Sequence, residues 1–252
     1  MKEKEKLKTA TLAMGSAIKA KLNKGAANQV TRSRVDMASV EMATDAWGAM
    51  PRKAAEVTIE KYGLPNEATP SRLIWYNNGM WKRTIVYRDE IPHNFPQPHT
   101  DMLENVINYK VPVEKFDDLA EYDGSLYIDR TRGEASARCD MEAANILSLN
   151  MMHEIVSGRL TAKQAKKRQA EIESDFMLNR PAPFTERLEF PVPETGTADP
   201  DRSNMARPLL KRAGRKLQEK LPWKTGLAVA AAFAVVALLT KSAPRQVGSA
   251  RS

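Results

Sequence analysis

The residues best suited to chemistry in this chain are few: three histidines, one cysteine, and the carboxylates near them. His93 and His99 flank the run Asn-Phe-Pro-Gln-Pro, and Asp101 follows His99 by two positions. Imidazole and carboxylate are the donor types that hold divalent transition metals, so His93, His99 and Asp101 form a candidate metal set if the loop folds back, with His153 as a further ligand. The spacing matches no recognised metal motif. Loop histidines that cap or hydrogen-bond are commoner, and that structural reading stands beside the metal one. Cys139 follows Arg138 and precedes a predicted helix, an environment that lowers a thiol pKa. A nucleophilic role would still require one of the histidines as its base.

Other candidates are weaker chemically. Arg130, Arg132 and Arg138 could grip a phosphate or an acidic partner, or line a solvated strand face. Asp117-Asp118 and Asp89-Glu90 are sequence neighbours and not two acids converging across a cleft. Trp75, Tyr76, Trp81, Tyr87 and Phe95 form an aromatic concentration read first as core and second as a contact strip. His153, beside Met151 and Met152, reads as a partly buried, satisfied imidazole. No cofactor motif is present and no cofactor is expected. A single cysteine excludes an internal disulfide framework.

The elements that must position these groups follow from pattern. Residues 2–22 read as a basic amphipathic helix and 23–36 as a linker. A helix runs from Met50-Pro51 to Tyr62, with Gly63 placed to end it. Leu73–Tyr76 and Thr84–Tyr87 are β-branched and aromatic, and Asn78-Gly79 between them predicts a hairpin on a type I′ turn. A second hairpin is predicted from 125–131 and 134–139, turning near Arg132-Gly133. Residues 112–122 read as a short helix, while 101–111 suits either helix or strand. Asp140 is placed to cap a helix over Met141–Val156, and Thr161 with Gln164 forms a capping box for another over 162–178. The expected fold is α+β: a small antiparallel sheet of two hairpins with helices packed on one side, plus one C-terminal transmembrane helix. The expected divisions are a basic N-terminal segment (1–46), the body (47–178), a Pro/Gly-rich linker (179–208) and a basic juxtamembrane segment with its anchor (209–252).

Charge is distributed unevenly. The net +8 is terminal, with +7 over residues 1–35 and +9 over 207–252, against −8 over 36–206. An acidic body argues against a basic nucleic-acid-binding face on the folded domain, so no sequence-specific nucleic acid is expected. Residues 225–240 (TGLAVAAAFAVVALLT) are uncharged and would span about 24 Å as a helix at ~1.5 Å per residue. The hydrocarbon core is ~30 Å thick, and interfacial Trp223, Lys224 and Lys241 would make up the difference over about 223–240. The cation excess before the span predicts a single pass through a bacterial inner membrane, with a cytoplasmic body and a short C-terminus outside. Gly226, Ala230 and Ala234 fall on one stripe that would let a partner helix approach. Lipid, and either a membrane protein or a second copy, are therefore the expected partners, with Arg130 and Arg132 as further contact candidates.

The runs WYNNGMWKRTIVYRDEIPHNFPQPHTDMLE (75–104) and DGSLYIDRTRGEASARCDMEAANILSLN (123–150) resemble an uncharacterised bacterial protein family over about 47–193. That resemblance implies a domain of one ancestral type and no reaction, cofactor or site. Leu221 to Leu239 resembles the C-terminal Pro-Trp and small-residue span of ribosome-associated inner-membrane proteins. It lacks their closing arginine pair, so only topology carries over. The expected function is a non-catalytic accessory or scaffold subunit of an inner-membrane complex. The alternatives are a tethered enzyme or ligand/metal sensor using the His93–Asp101 loop, and ribosome or nucleoid docking through the basic tails.

Overall fold

The computed structural model describes residues 3–22 and 31–204. Its architecture is α+β, built on one six-stranded sheet in which every neighbouring pair is antiparallel. The chain runs α1 (Glu3–Leu22), α2 (Met37–Thr44), α3 (Ala49–Tyr62), β1 (Glu67–Thr69), β2 (Arg72–Asn78), β3 (Trp81–His93) and β4 (His99–Asn108). It continues through α4 (Phe116–Tyr122), β5 (Leu126–Asp129), β6 (Glu134–Cys139), α5 (Glu142–Val156) and α6 (Ala162–Met177), with the strands ordered β1-β2-β3-β4-β6-β5.

The sheet is larger than two hairpins because residues 99–108 are a central strand. Met102, Leu103, Val106 and Ile107 are all buried, as expected for a strand covered on both faces, and that erases the period-two pattern of a half-buried one. β3 also continues past Tyr87, where its pairing with β2 ends. Beyond that point it has an open edge, which tolerates Pro92 opposite Thr100. The first hairpin turns on Gly79-Met80, with Asn78 paired to Trp81. Gly79 takes φ +62 and Met80 does not turn positive, the type II′ pattern rather than I′. The left-handed residue before it is Asn77, at φ +50.

The core lies between the sheet and its helices. Leu73, Trp75, Val86, Leu103, Ile107, Ala135 and Ala137 share one face by strand alternation and register, and all are buried. α5 is buried on nearly every side, from Ala144 through Ile155, which suits a helix wedged between sheet and α6. Two of its asparagines donate across the core, although Asn145 Oδ1 has no partner. Asn145 Nδ2 donates to Leu103 O and Asn105 Oδ1, at 2.9 and 2.8 Å. Asn150 clamps residues 184–189 through two donated bonds and one accepted. The Pro/Gly-rich stretch therefore lacks regular structure, as its composition predicts, yet Phe190 and Thr197 are buried. Asp140 does not cap α5: Met141 occupies that position with no side-chain bond. The Thr161–Gln164 capping box forms as expected.

The transmembrane part of the expected fold is corrected. Among the described residues no helix is long and apolar enough to cross a membrane: α1 is rich in lysine, and α5 and α6 have 15 and 16 residues where a span needs ~20. Residues 223–240, with Trp223, Lys224, Gly226, Ala230, Ala234 and the following Lys241, lie outside the described residues.

Candidate metal centre

His93 and His99 do not sit on a loose loop. They are cross-strand partners at the tip of the β3–β4 hairpin, and partners in one register share a face. Asp101, two residues along β4, shares that face with His99. Cys139 is paired with Leu103 at the end of β6, so it stands on the same side. The turn after α4 adds Asp123 and Ser125. One hairpin tip, one strand end and one helix stop thus converge.

One donor atom each from His93, His99 and Asp101 lies within 4.8 Å of the other two. His99 Nε2 is 3.1 Å from Asp101 Oδ1 and 3.3 Å from Cys139 Sγ, and His93 Nδ1 is 3.5 Å from Asp101 Oδ2. Donors held 2.0–2.3 Å from a tetrahedral ion are roughly 3.3–3.8 Å apart by geometry, so these spacings are close to the edges of a zinc-like site. His99 Nδ1 lies 2.8 Å from Gln97 O. A carbonyl only accepts, so Nδ1 carries a proton and Nε2 is the nitrogen turned to the cluster, the arrangement that orients a metal-binding imidazole.

Asp101 is 3% exposed. Ser125 Oγ donates to its Oδ2, while Oδ1 has no hydrogen-bond partner, since the His99 contact lacks the alignment for one. Asp123 Oδ1 accepts the Ser125 N–H at 2.8 Å and lies 3.7 Å from His93 Nε2. Burial raises the Asp123 carboxyl above its ordinary range. Asp101 and then Cys139 push the His99 imidazole up to about 11, so without an ion the ring holds a proton between them.

The cluster borders a cavity of about 40 Å³ lined by His99, Cys139, Asp140, Glu173, Met177 and Thr185, among others. That holds about three waters, too little for a bulky organic substrate. Burial raises Glu173 as well, and Gln97 Nε2 donates to Met177 Sδ at 3.0 Å, joining the hairpin tip to the end of α6.

The other expected site residues lie elsewhere. Burial pushes the Cys139 thiol up to about 11, so the expected low thiol pKa is corrected. Arg138, its neighbour on the strand, turns to the opposite face and pairs with Glu104 at 2.9 Å. Arg130 pairs with Asp199 and Arg132 with Asp129. His153 is outside the cluster, bonded to Tyr109 at 2.8 Å and stacked on Phe190. Trp75 and Trp81 are core, each donating from its indole, to Gly63 O and Glu142 respectively. Asp123, Ser125 and Glu173 are the additions. Asp123-Gly124 reads in sequence only as a helix stop, and no spacing ties it to His93.

No protein-family model, curated protein or solved structure matches this chain.

Proposed function

We propose that the protein is a metal-responsive domain that binds one divalent transition ion of the zinc class at His93, His99 and Asp101. The observation that carries this is Asp101 Oδ1: a buried carboxylate oxygen with no hydrogen-bond partner, facing His99 at 3.1 Å in a cluster where His93 also stands. That oxygen's one close neighbour is His99 Nε2, and an ion would take the place of the proton between them. The ion would pin the tip of the β3–β4 hairpin, and its binding free energy then adds to folding. The accessory-subunit reading rests on the apolar C-terminal segment with its small-residue stripe, the acidic body and the lack of a catalytic motif, and the site geometry adds nothing to it.

Calorimetric titration of the chelator-treated full chain with Zn(II), paired with elemental analysis, tests this. One ion per chain is expected in the wild type and none tightly bound after His99→Ala. A wild type that takes up no zinc, or a His99→Ala variant that binds equally well, overturns the reading.

A further inference from the structure

The His99 nitrogen that faces Asp101 also faces Cys139. We propose that Cys139, as a thiolate, is the fourth protein donor to the ion, closing His93, His99 and Asp101 into a site that selects zinc-class ions over magnesium or calcium. The inference rests on the metal reading above and specifies it.

A nucleophilic Cys-His pair with an orienting acid uses both imidazole nitrogens, one toward the sulfur and the other toward the carboxylate. Here Nδ1 is taken by Gln97 O, and sulfur and carboxylate crowd the same Nε2, at 3.3 and 3.1 Å. Sulfur and carboxylate thus share one nitrogen, which is not a relay; Cys139 Sγ stands outside the 4.8 Å set of His93, His99 and Asp101 and would close on the ion as it binds. The strand register is compatible with this, because pairing with Leu103 puts Cys139 on the same helix-covered face as Asp101. His99 and Cys139 both border the small cavity, which gives an ion a way in.

Binding is an acid–base and not a redox event. The sulfur–metal bond forms as the S–H bond breaks, and one proton passes to water. A soft sulfur donor favours zinc or cobalt over hard oxygen-seeking cations. Four protein donors also leave no coordinated water, which makes the centre one of binding and conformational response, not hydrolysis.

Cobalt(II) chloride added to the chelator-treated full chain is the test. The expected result is one bound ion with a sulfur-to-cobalt charge-transfer band in the near ultraviolet. In Cys139→Ser that band is lost and affinity falls by at least the ~10–100-fold that removing an outer partner costs. Should the serine variant fold poorly, the wild type alone decides: stoichiometric Zn(II) is expected to suppress alkylation of Cys139 by N-ethylmaleimide. Cobalt bound in a His99-dependent way, with no charge-transfer band and an undiminished alkylation rate, overturns the thiolate donor and leaves the metal reading standing. A wild type that binds neither cobalt nor zinc overturns both.

Discussion

Strand β4 carries two buried carboxylates three positions apart, Asp101 and Glu104, and the odd spacing sends them to opposite faces of the sheet. Glu104 is fully provided for: it accepts from Ser136 at 2.6 Å, Tyr87 at 2.6 Å and Arg138 at 2.9 Å. Burial pushes its carboxyl up, but those three donors outweigh burial and hold it below its ordinary value. Glu134, nearby, is held down in the same way by Arg83 and Lys82. Asp101 has one hydroxyl on one oxygen, no hydrogen bond on the other, and only imidazoles as ion-pair partners among the described residues. The same residue class thus serves two ends. A saturated carboxylate cements strands; one with fewer hydrogen bonds is, on the metal reading proposed above, open to a cation.

Exchanging the two charges for amides gives the largest effects, in opposite columns. Glu104→Gln leaves Arg138 buried without its counter-charge and is expected to cost about 3 kcal/mol in urea denaturation, with zinc uptake unchanged. Asp101→Asn removes the charge that holds the His99 imidazolium, so the chelator-treated protein is expected to lose stability as well, but less than in Glu104→Gln because His99, unlike Arg138, can shed its proton. It also loses the zinc-dependent gain, which in wild type reaches about 2.7 kcal/mol at a hundredfold excess of zinc over Kd. If Asp101→Asn destabilises the metal-free protein as much as Glu104→Gln does, the contrast between the two carboxylates is wrong.

Acid separates the regions more gently. A carboxyl with a lowered folded-state pKa contributes stability that is complete above its unfolded value, 4.5 for glutamate, and is lost as pH falls through the folded value. Thermal stability of the chelator-treated wild type is therefore expected to decline below that pH. Glu104→Gln starts less stable at neutral pH and is expected to decline less steeply. Parallel curves for the two proteins would mean that Glu104 is not the group being titrated.

How much of this was legible follows from where each pattern breaks. The first hairpin was readable because β-branched runs flank a glycine able to take positive φ, although the turn slid by one residue as Asn77 absorbed a left-handed conformation. β4 was ambiguous because burial on both faces removes alternation. The metal set is visible in residue type and spacing, but prolines at 92, 96 and 98 disguise the strand ends as a loop. Cys139 reads in sequence as a nucleophile, a strand-end filler or a companion of the His93–Asp101 loop, and its pairing with Leu103 is a long-range register that no local window contains. The Arg138–Cys139 neighbourhood misled for a simple geometric reason: adjacent strand residues point to opposite faces.

That alternation supports the smallest prediction. The Arg138 guanidinium is sandwiched between rings, 4.4 Å from the Tyr87 centroid and 4.6 Å from that of Tyr127. Tyr127 is 45% exposed, so Tyr127→Leu is expected to remove about 0.5–1 kcal/mol of cation–π attraction. Tyr87→Leu is expected to cost more, because Tyr87 also donates to Glu104. Zinc affinity measured on Tyr127→Leu discriminates further than stability does. Arg138 and Cys139 are joined by one peptide bond, but the sheet lies between their side chains, so an unchanged zinc Kd is expected. A shifted Kd would mean that the charge network on one face sets the position of the thiol on the other, and that the two carboxylate systems of β4 are coupled through the strand they share with β6.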